Sequence, residues 1–330
     1  MIGTTVGQNL LVVAADRTYV NQARQTINGA RINGGWTDDI MLLYRDIPDE
    51  ELRWFIDNDV IVRMPEDRCS EAVWRSRQRS PRVYPTALNM RLGLFQPEYR
   101  RWDKIVHIDA DTIVLGPLHS LLDGEGFSAV PDYGSTLASH FTAPERFHEI
   151  FDGKFHPKEP AFNAGVFVFS PSQINSDCYD TLWKLFDQYF EHCNFAEQSI
   201  LNLYFYKNWD PLPWKMNMFF HHMPKKIKTT GTGCTVIHFP MTLQSSRPWE
   251  PGNPFFPVWQ SIWAGDNSLS VSQSDSYNNV EPHKSVYRHI RRVLRVRRLY
   301  CLVRQNRFFS AALLPPLRGV RETYKKIFFR

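Results

Sequence analysis

Two aspartates, Asp109 and Asp111, lie one residue apart inside the apolar run "KIVHIDADTIVL". Because successive strand residues point to opposite faces, this spacing predicts that both carboxylates share one face, with Ala110 between them. Carboxylates this close repel each other, which raises a pKa unless a cation lies beside them. Oxygen-rich sites suit Mg²⁺ or Mn²⁺, and such ions also bind substrate phosphates. The pair therefore predicts a divalent metal site that carries a diphosphate, although an acidic turn in which Asp111 caps the next element has the same spacing.

The segments around this pair alternate between strand-like and helix-like patterns. Apolar runs predict strands at 10–15, 38–45, 59–64, 104–109, 162–170 and 234–240, and helical spacing predicts helices at 16–31, 48–57, 84–95, 177–190 and 196–205. Repeated βαβ units imply an α/β fold with a mainly parallel sheet and helices on both faces. Ligands of such sheets lie beyond the carboxyl ends of the strands, where the two aspartates fall.

Composition and local motifs exclude several classes of protein. The 330 residues are 43% hydrophobic and 14% aromatic, which is enough for a large core and excludes wholesale disorder. The absence of a P-loop and of a GxGxxG fingerprint weakens an ATPase or dehydrogenase interpretation. The five cysteines include no CxxC pair, which favours reduced thiols in a reducing compartment. The first apolar run, at 10–15, is too short for a signal peptide or a membrane span, so we expect a cytoplasmic protein.

Charge is distributed unevenly along the chain. The net charge of +5 combines −8 over residues 1–282 with +13 over residues 283–330, where 14 lysines and arginines accompany one glutamate. The polar stretch at 266–282 predicts a linker between a domain at 1–265 and a basic helical tail at 283–330. Apolar and aromatic residues alternate with arginines in the tail, which favours contact with an anionic membrane surface on its cytoplasmic side. A solvated helical extension is the alternative, and no base-stacking or groove-reading motif supports a nucleic-acid partner.

Five motifs connect the aspartate pair to a known family. The block "KIVHIDADTIVLGPLHSLLD" is followed in order by "AVPD", "FNAGVFVFSPS", "EQSILNLYF" and "VIHF…RPW". Together they resemble glycosyltransferase family 8, which includes glycogenin-like enzymes and bacterial lipooligosaccharide galactosyltransferases, over roughly residues 10–250. The resemblance implies a GT-A type, Rossmann-like fold. It also implies metal-dependent transfer of a hexose from a UDP-sugar to a hydroxyl acceptor, with retention at the anomeric carbon.

The resemblance assigns the metal ion and the diphosphate to specific side chains. Asp109, Ala110 and Asp111 match the family's DxD motif, which binds Mn²⁺ and the diphosphate of the donor. His238 in "VIHF" matches the histidine that completes the metal site, and imidazole is a reasonable Mn²⁺ ligand beside carboxylates. A lone histidine on an apolar strand is more often an ordinary core residue, so the motif context alone supports His238 as a ligand.

The nucleotide is assigned to the first strand and to the helix before the aspartate pair. Ala15, Asp16 and Tyr19 in "AADRTY" match the segment whose tyrosine packs on uracil, although Tyr19 also fits an ordinary helix aromatic. Arg91 in "NMRLGLF" is the candidate for the basic residue that neutralises phosphate. Arg247 in "RPW" replaces the family's usual lysine and would contact phosphate with different geometry.

The donor sugar is assigned to a second set of residues. Asn163, Ala164 and Gly165 match the sugar-binding strand segment, in which a small residue lets the backbone approach the hexose; a strand start with a glycine bulge is the alternative.

Asp132 in "AVPD" matches the acid that faces the sugar, and Glu197 and Gln198 match a pair near the anomeric carbon. The resemblance therefore implies catalytic roles for these three residues.

The sequence also departs from the family pattern. Glu197 replaces the usual aspartate, and the loop between "VIHF" and "RPW" lacks the family's glycine and is three residues longer. The segment from Tyr133 to Pro160 is a long insertion that we expect to contribute to the acceptor pocket.

Other functions stay open at this point. One is a catalytically decayed protein that still binds a sugar nucleotide, and another is a different metal-dependent nucleotidyl or phosphoryl transferase, which would leave "FNAG" and "RPW" unexplained. We expect a glycan, glycolipid or glycoprotein acceptor, and the sequence allows a homodimer without specifying the oligomeric state.

Overall fold

The computed structural model describes residues 8–66, 68–70, 88–124, 126–240 and 247–266. The predicted tail at 283–330, and all but the first residue of the predicted linker at 266–282, lie outside this part of the chain. The described residues form a sheet of seven strands, a second sheet of three strands, and helices packed against them.

Six of the ten described strands lie in predicted apolar runs, whereas the strands at 112–114, 127–136, 210–211 and 218–219 were not predicted. In chain order the strands are β1 Leu10–Asp16, β2 Asp39–Arg45, β3 Ile61–Arg63, β4 Ile105–Ile108, β5 Thr112–Val114, β6 Phe127–Thr136, β7 Pro160–Phe169, β8 Asp210–Pro211, β9 Met218–Phe219 and β10 Val236–His238. The large sheet has the order β3-β2-β1-β4-β7-β6-β8, and the small sheet has the order β5-β10-β9.

The large sheet is mostly parallel, which confirms the predicted fold class. β1 pairs in parallel with β2 and β4, β2 with β3, and β6 with β8. β7 is antiparallel to both of its neighbours, β4 and β6. All ten residues of β7 are buried, so both faces of the sheet are covered at this strand.

Six α-helices occur within the described residues. They are α1 Val20–Ile32, α2 Asp49–Asp57, α3 Phe147–Ile150, α4 Cys178–Tyr189, α5 Ala196–Tyr204 and α6 Phe256–Trp263. None of the described helices has the length and apolarity needed to cross a membrane.

Local sequence explains where the first two helices begin. Asp16 ends β1, and its carboxylate accepts a hydrogen bond from the Thr18 backbone N–H (3.0 Å), which starts a 3₁₀ turn at Arg17–Tyr19 that leads into α1. Pro48 precedes α2, and three acids occupy the first turn, where the helix dipole favours negative charge.

The helix predicted at 84–95 is a 3₁₀ helix, Leu88–Phe95, in its described part. Every residue from 89 to 95 is buried. The segment is therefore packed on all sides and has no exposed face, and this packing determines its 3₁₀ conformation. The segment packs with α4 and α5, and α5 in turn packs on β7, whereas α1 packs on β1 and α6. These contacts place Arg91 of the 3₁₀ helix beside β4 and β7.

Candidate active site

The two aspartates lie in a turn and not on a strand. β4 ends at Ile108, Asp109–Asp111 turn the chain, and β5 then enters the small sheet. The prediction that strand alternation would align the carboxylates is therefore wrong, because the apolar run spans two strands of different sheets. The turn brings both carboxylates to one place by another route.

The backbone of this turn is fixed by three separate parts of the molecule. The hydrogen bonds run from Asp109 N–H to the Gly165 carbonyl of β7 (2.8 Å), from the Thr26 hydroxyl of α1 to the Ala110 carbonyl (3.1 Å), and from Phe239 N–H to the Asp111 carbonyl (2.9 Å). The turn therefore has little freedom to move its two carboxylates.

Asp109, Asp111 and His238 form a group that could hold a metal ion, with ligand atoms all within 4.8 Å of one another. Nε2 of His238 lies 3.1 Å from an oxygen of Asp111 and 3.7 Å from an oxygen of Asp109. Asp111 and His238 are buried, whereas 24% of the Asp109 side chain is exposed. Burial acts to lower the pKa of His238, but the carboxylates of Asp111 and Asp109 outweigh it and raise this pKa.

Hydrogen-bonded side-chain amides contact His238 on the side away from the carboxylates. His238 Nδ1 lies 2.9 Å from Oδ1 of Asn217, and Nδ2 of Asn217 donates to Oδ1 of Asn163 (2.8 Å). Asn217 is fully buried and was not predicted as a site residue. Its only signal in the sequence is one amide within the apolar stretch "WKMNMFF".

Gln198 joins this chain from the other end. Its Oε1 accepts hydrogen bonds from Nδ2 of Asn163 (3.0 Å) and from the Ala164 backbone N–H (2.9 Å). The predicted sugar-binding segment of β7 and the predicted catalytic pair of α5 are thus in direct contact.

Gly165 makes room for the imidazole of His238. A Cβ atom built on Gly165 would lie 2.5 Å from Cε1 and 2.7 Å from Nδ1 of His238, closer than real atoms approach. The position that a side chain of residue 165 would take is therefore occupied by the imidazole, whereas the hexose contact of this segment stays a prediction.

Arg91 is buried at the centre of the site and is already paired. Its guanidinium donates to Asp109 Oδ1 (2.8 Å), to the Ala164 carbonyl (2.9 Å) and to Oε1 of Glu197. We predicted Arg91 as a phosphate ligand, and the structure places it against protein carboxylates.

The two carboxylates that share Arg91 have opposite pKa shifts. Burial acts to raise the pKa of Asp109, but Arg91, His107 and His238 hold it well below its ordinary value. Burial raises the pKa of Glu197 to about 7 in spite of Arg91. One guanidinium therefore keeps Asp109 ionised, and Glu197 is the carboxyl group that more readily takes a proton.

His107 is a second residue that the sequence did not indicate, because its position in the run "KIVHI" fits an ordinary strand residue. The ring is completely buried on β4, and its Nε2 lies 3.0 Å from Asp109 Oδ1. Burial lowers the pKa of His107, which favours the neutral ring. The ionised carboxylate of Asp109 can only accept a hydrogen bond, so Nε2 is the nitrogen that carries the proton.

Asp132 forms a separate pair with His140. Its Oδ2 lies 3.2 Å from His140 Nε2, and its Oδ1 accepts from the Tyr133 backbone N–H (3.0 Å). Burial acts to raise the pKa of Asp132, but these partners lower it below its ordinary value. The carbonyl of His140 accepts from the Ser199 hydroxyl of α5 (3.0 Å), which ties this pair to the helix that carries Gln198.

The predicted nucleotide-binding residues lie at the end of β1. Ala15 is buried, and the ring of Tyr19 meets Trp249 edge to face at 6.0 Å. Burial, followed by the charge of Asp111, raises the pKa of Tyr19, while Arg247 acts in the opposite direction. Tyr19 therefore lies within electrostatic reach of both the metal-binding group and Arg247, which donates to Glu250 (3.1 Å).

Comparison with known proteins gives an independent view of the chain. Residues 10–251 match the sequence profile of the family described as Glycosyl transferase family 8. Human glycogenin-2 is 32% identical over 174 residues, which cover 48% of this chain and 28% of that protein. Galactinol synthase 7 of Arabidopsis thaliana is 26% identical over 168 residues, or 46% of this chain and 48% of that protein. The chain thus spans about half or less of the length of these relatives.

A solved structure shows the same fold. The galactosyltransferase LgtC, crystallised with donor and acceptor sugar analogues, has a TM-score of 0.57 at 13% identity over 79% of this chain and 97% of LgtC. The profile match covers more than half of the chain and includes every predicted site residue.

Proposed function

The chain belongs to glycosyl transferase family 8, and on this premise we propose that it transfers a hexose from a UDP-sugar to a hydroxyl group of a glycan, glycolipid or glycoprotein. The observation that carries the proposal is the convergence of Asp109, Asp111 and His238 at the end of β4. Retention at the anomeric carbon is proposed from the family resemblance.

The three side chains fit Mn²⁺ or Mg²⁺. Two carboxylates and an imidazole are suitable donors for these ions, and Nε2 of His238 faces both carboxylates. When bound, the ion supplies positive charge that stabilises the departing diphosphate. Asp111 and His238 are buried, so the protein keeps water away from this part of the site.

The two arginines have different proposed roles. Arg91 is occupied by Asp109, Ala164 and Glu197, so it orients Asp109 and stabilises its charge without contacting the donor itself. Arg247 is partly exposed, with 36% of its side chain accessible, and it lies near Tyr19. We assign the phosphate contact to Arg247 and the uracil contact to Tyr19.

The catalytic pair is proposed to act without a carboxylate nucleophile. Glu197 is fully buried and bound to Arg91, and Oε1 of Gln198 already accepts two hydrogen bonds. We propose that the amide N–H groups of Gln198 donate to the sugar-nucleotide donor. This arrangement favours attack by the acceptor on the same face of the sugar, with Asp132, held by His140, facing the hexose.

The aromatic packing of the insertion supports its proposed contribution to the acceptor pocket. Phe141, Phe147 and Phe151 pack against one another with ring centroids 4.6–5.8 Å apart. This buried cluster gives the segment from Tyr133 to Pro160 a fixed base from which to contact an acceptor.

The test is UDP release from a panel of UDP-sugars with Mn²⁺, measured for the wild type and for Asp111→Asn. We expect one UDP-sugar to release UDP in the wild type and the variant to lose this activity. Turnover by Asp111→Asn at the wild-type rate would reject the site. Release of pyrophosphate or UMP would instead identify a nucleotidyl or phosphoryl transferase, and binding without release would identify a decayed enzyme.

A further inference from the structure

We propose that Asn217 is a positioning residue that holds the imidazole of His238 in the tautomer whose Nε2 lone pair faces Asp109 and Asp111. Asn217 lies fully buried between a 3₁₀ helix, Trp214–Met216, and β9. The inference rests on the proposed function only in requiring that a divalent ion binds at Asp109, Asp111 and His238.

A backbone amide fixes the orientation of the Asn217 side chain. The Gly165 N–H can only donate, so the atom of Asn163 that lies 2.8 Å from it must be the oxygen. That same oxygen lies 2.8 Å from Asn217, so the contacting atom of Asn217 must be the donating Nδ2. The oxygen of Asn217 is therefore the atom that faces His238.

A second backbone amide gives the same assignment from the opposite end. The Ala164 N–H donates to Gln198 (2.9 Å), so the atom that accepts this bond is Oε1 of Gln198. The group of Asn163 that lies 3.0 Å from this oxygen must donate, and it is therefore Nδ2. The oxygen and the nitrogen of the Asn163 side chain are thus both assigned from backbone N–H groups, which can only donate.

The oxygen of Asn217 determines which nitrogen of His238 carries the proton. An acceptor 2.9 Å from Nδ1 requires Nδ1–H, because a bare nitrogen would set two lone pairs against each other in a buried site. A neutral imidazole protonated at Nδ1 has its lone pair on Nε2, where an ion between the ring and the carboxylates would bind; without the ion, the facing carboxylates favour a proton on Nε2 as well. This is the nitrogen that lies 3.1 Å from Asp111.

Other contacts hold His238 in place independently of Asn217. The ring lies against Gly165 on one side and meets the ring of Phe219 edge to face at 5.0 Å. The Tyr133 hydroxyl donates to the backbone carbonyl of Asn217 (2.8 Å) and accepts from the backbone N–H of Phe219 (2.8 Å). These bonds do not involve the Asn217 side chain. Removing the Asn217 side chain should therefore change the tautomer of His238 more than its position.

The first experiment measures Mn²⁺ binding by electron paramagnetic resonance of the free ion, without any sugar nucleotide. Asn217→Leu removes the acceptor at similar volume, and we expect its Mn²⁺ dissociation constant to rise about 10- to 100-fold. Asn217→Asp keeps an oxygen for Nδ1–H and should stay closer to the wild type than Asn217→Leu does.

The matched control is Asn202→Leu, which removes another buried amide. Asn202 bonds to both backbone groups of Phe162 and donates to the backbone carbonyl of Gln198, and it makes no hydrogen bond to Asn217 or His238. We expect this variant to lose stability and to keep the wild-type dissociation constant. The inference is overturned if Asn217→Leu binds Mn²⁺ like the wild type, or if Asn202→Leu weakens binding equally.

The second experiment is a measurement on the wild type. A variant is used only to identify the signals of His238. Two-bond ¹H–¹⁵N spectra of ¹⁵N-histidine protein with Mg²⁺ report the tautomer of His238, whose signals are identified by their loss in His238→Gln. We expect Nδ1 to carry the proton and Nε2 to be bare, and a ring protonated at Nε2 with a bare Nδ1 would overturn the inference. If the wild type binds neither Mn²⁺ nor Mg²⁺, the proposed metal site is overturned as well. If the wild type binds Mn²⁺ and Asn217→Leu binds it with the same dissociation constant, only the positioning role is rejected.

Discussion

At the scale of single residues, the site depends on how one guanidinium is shared. Arg91 donates to both Asp109 and Glu197, and it is almost completely buried. Asp109 has further partners in His107 and His238, whereas Glu197 has none of these. The ionised form is therefore favoured at Asp109, the proposed metal ligand, and the protonated form is favoured at Glu197.

Glu197→Gln tests this sharing through the pH dependence of stability. The pKa of Glu197 is raised from 4.5 to about 7 in the folded chain, so folding favours the protonated form between these values. The stability of the wild type relative to Glu197→Gln should be greatest below pH 4.5 and should fall as pH rises to about 7. We expect a fall on the order of 3 kcal/mol in the difference between their free energies of unfolding, measured with urea. A difference that is constant or increases with pH would show that Glu197 is ionised throughout this range.

Gly165→Ala tests the contact between β7 and the metal-binding histidine. The added methyl group would overlap the ring of His238, which is confined by Asn217 and cannot move away cheaply. We expect Mn²⁺ affinity to fall at least about tenfold, measured by electron paramagnetic resonance. Gly29→Ala is the control, because the atoms nearest to its methyl group would belong to Val114 and Ile262, at 3.3 Å or more. Wild-type affinity in Gly165→Ala would contradict the assigned position of His238.

The sequence revealed these residues to different degrees. Asp109 and Asp111 stand out because two acids interrupt an apolar run, and His238 stands out only through the order of the motifs. Asn217 and His107 could not be predicted, because each acts through partners brought close by the fold, and neither spacing nor polarity identifies such partners. For the same reason the sequence could not show that Arg91 would be occupied by Glu197.

At the scale of elements, the aspartate turn depends on α1 as much as on the strands that flank it. The Thr26 hydroxyl of α1 is fully buried and lies 3.1 Å from the Ala110 carbonyl and 3.4 Å from the Thr112 carbonyl. A helix that also packs on β1 and α6 therefore holds the turn from one side.

Thr26→Val tests this support. Valine has nearly the same shape but no hydroxyl, so the Ala110 carbonyl would lose its buried donor. We expect a loss of about 1 kcal/mol in the free energy of unfolding, measured with urea, together with weaker Mn²⁺ binding. Thr26→Ser keeps the hydroxyl and serves as the control for binding. Equal Mn²⁺ affinity in Thr26→Val and the wild type would show that α1 does not position the turn.

Apolar patterns predicted where most elements lie but not how they connect. The run from Lys104 to Leu115 looks continuous, yet the chain turns after β4 and β5 joins a different sheet. Strand propensity also carries no direction, so the antiparallel course of β7 could not be predicted from "FNAGVFVFS". Both features depend on pairing between segments that are distant along the chain.

At the scale of the whole molecule, the chain combines an acidic family domain with a basic end. Residues 1–282 carry 25 lysines and arginines against 33 acids, and residues 283–330 carry 14 against one. The family match ends at residue 251, so the basic end needs a separate explanation. We propose that it contacts an anionic membrane surface, which would bring the enzyme to a lipid-linked acceptor.

Replacing Arg291, Arg292 and Arg295 with glutamine in the full chain tests this proposal. We expect binding to vesicles that contain phosphatidylserine to weaken by roughly 1 kcal/mol per charge removed, as measured by co-sedimentation. Binding to neutral phosphatidylcholine vesicles should not change. Unchanged binding to the anionic vesicles would remove the case for a membrane contact.

The central claim is that a divalent ion held by Asp109, Asp111 and His238 connects this protein to a UDP-sugar. Its most direct test is calorimetric titration of UDP into the wild type and into Asp111→Asn, each with Mn²⁺ and with EDTA. We predict UDP binding only for the wild type with Mn²⁺. UDP binding of equal affinity in EDTA, or in Asp111→Asn with Mn²⁺, would contradict the account.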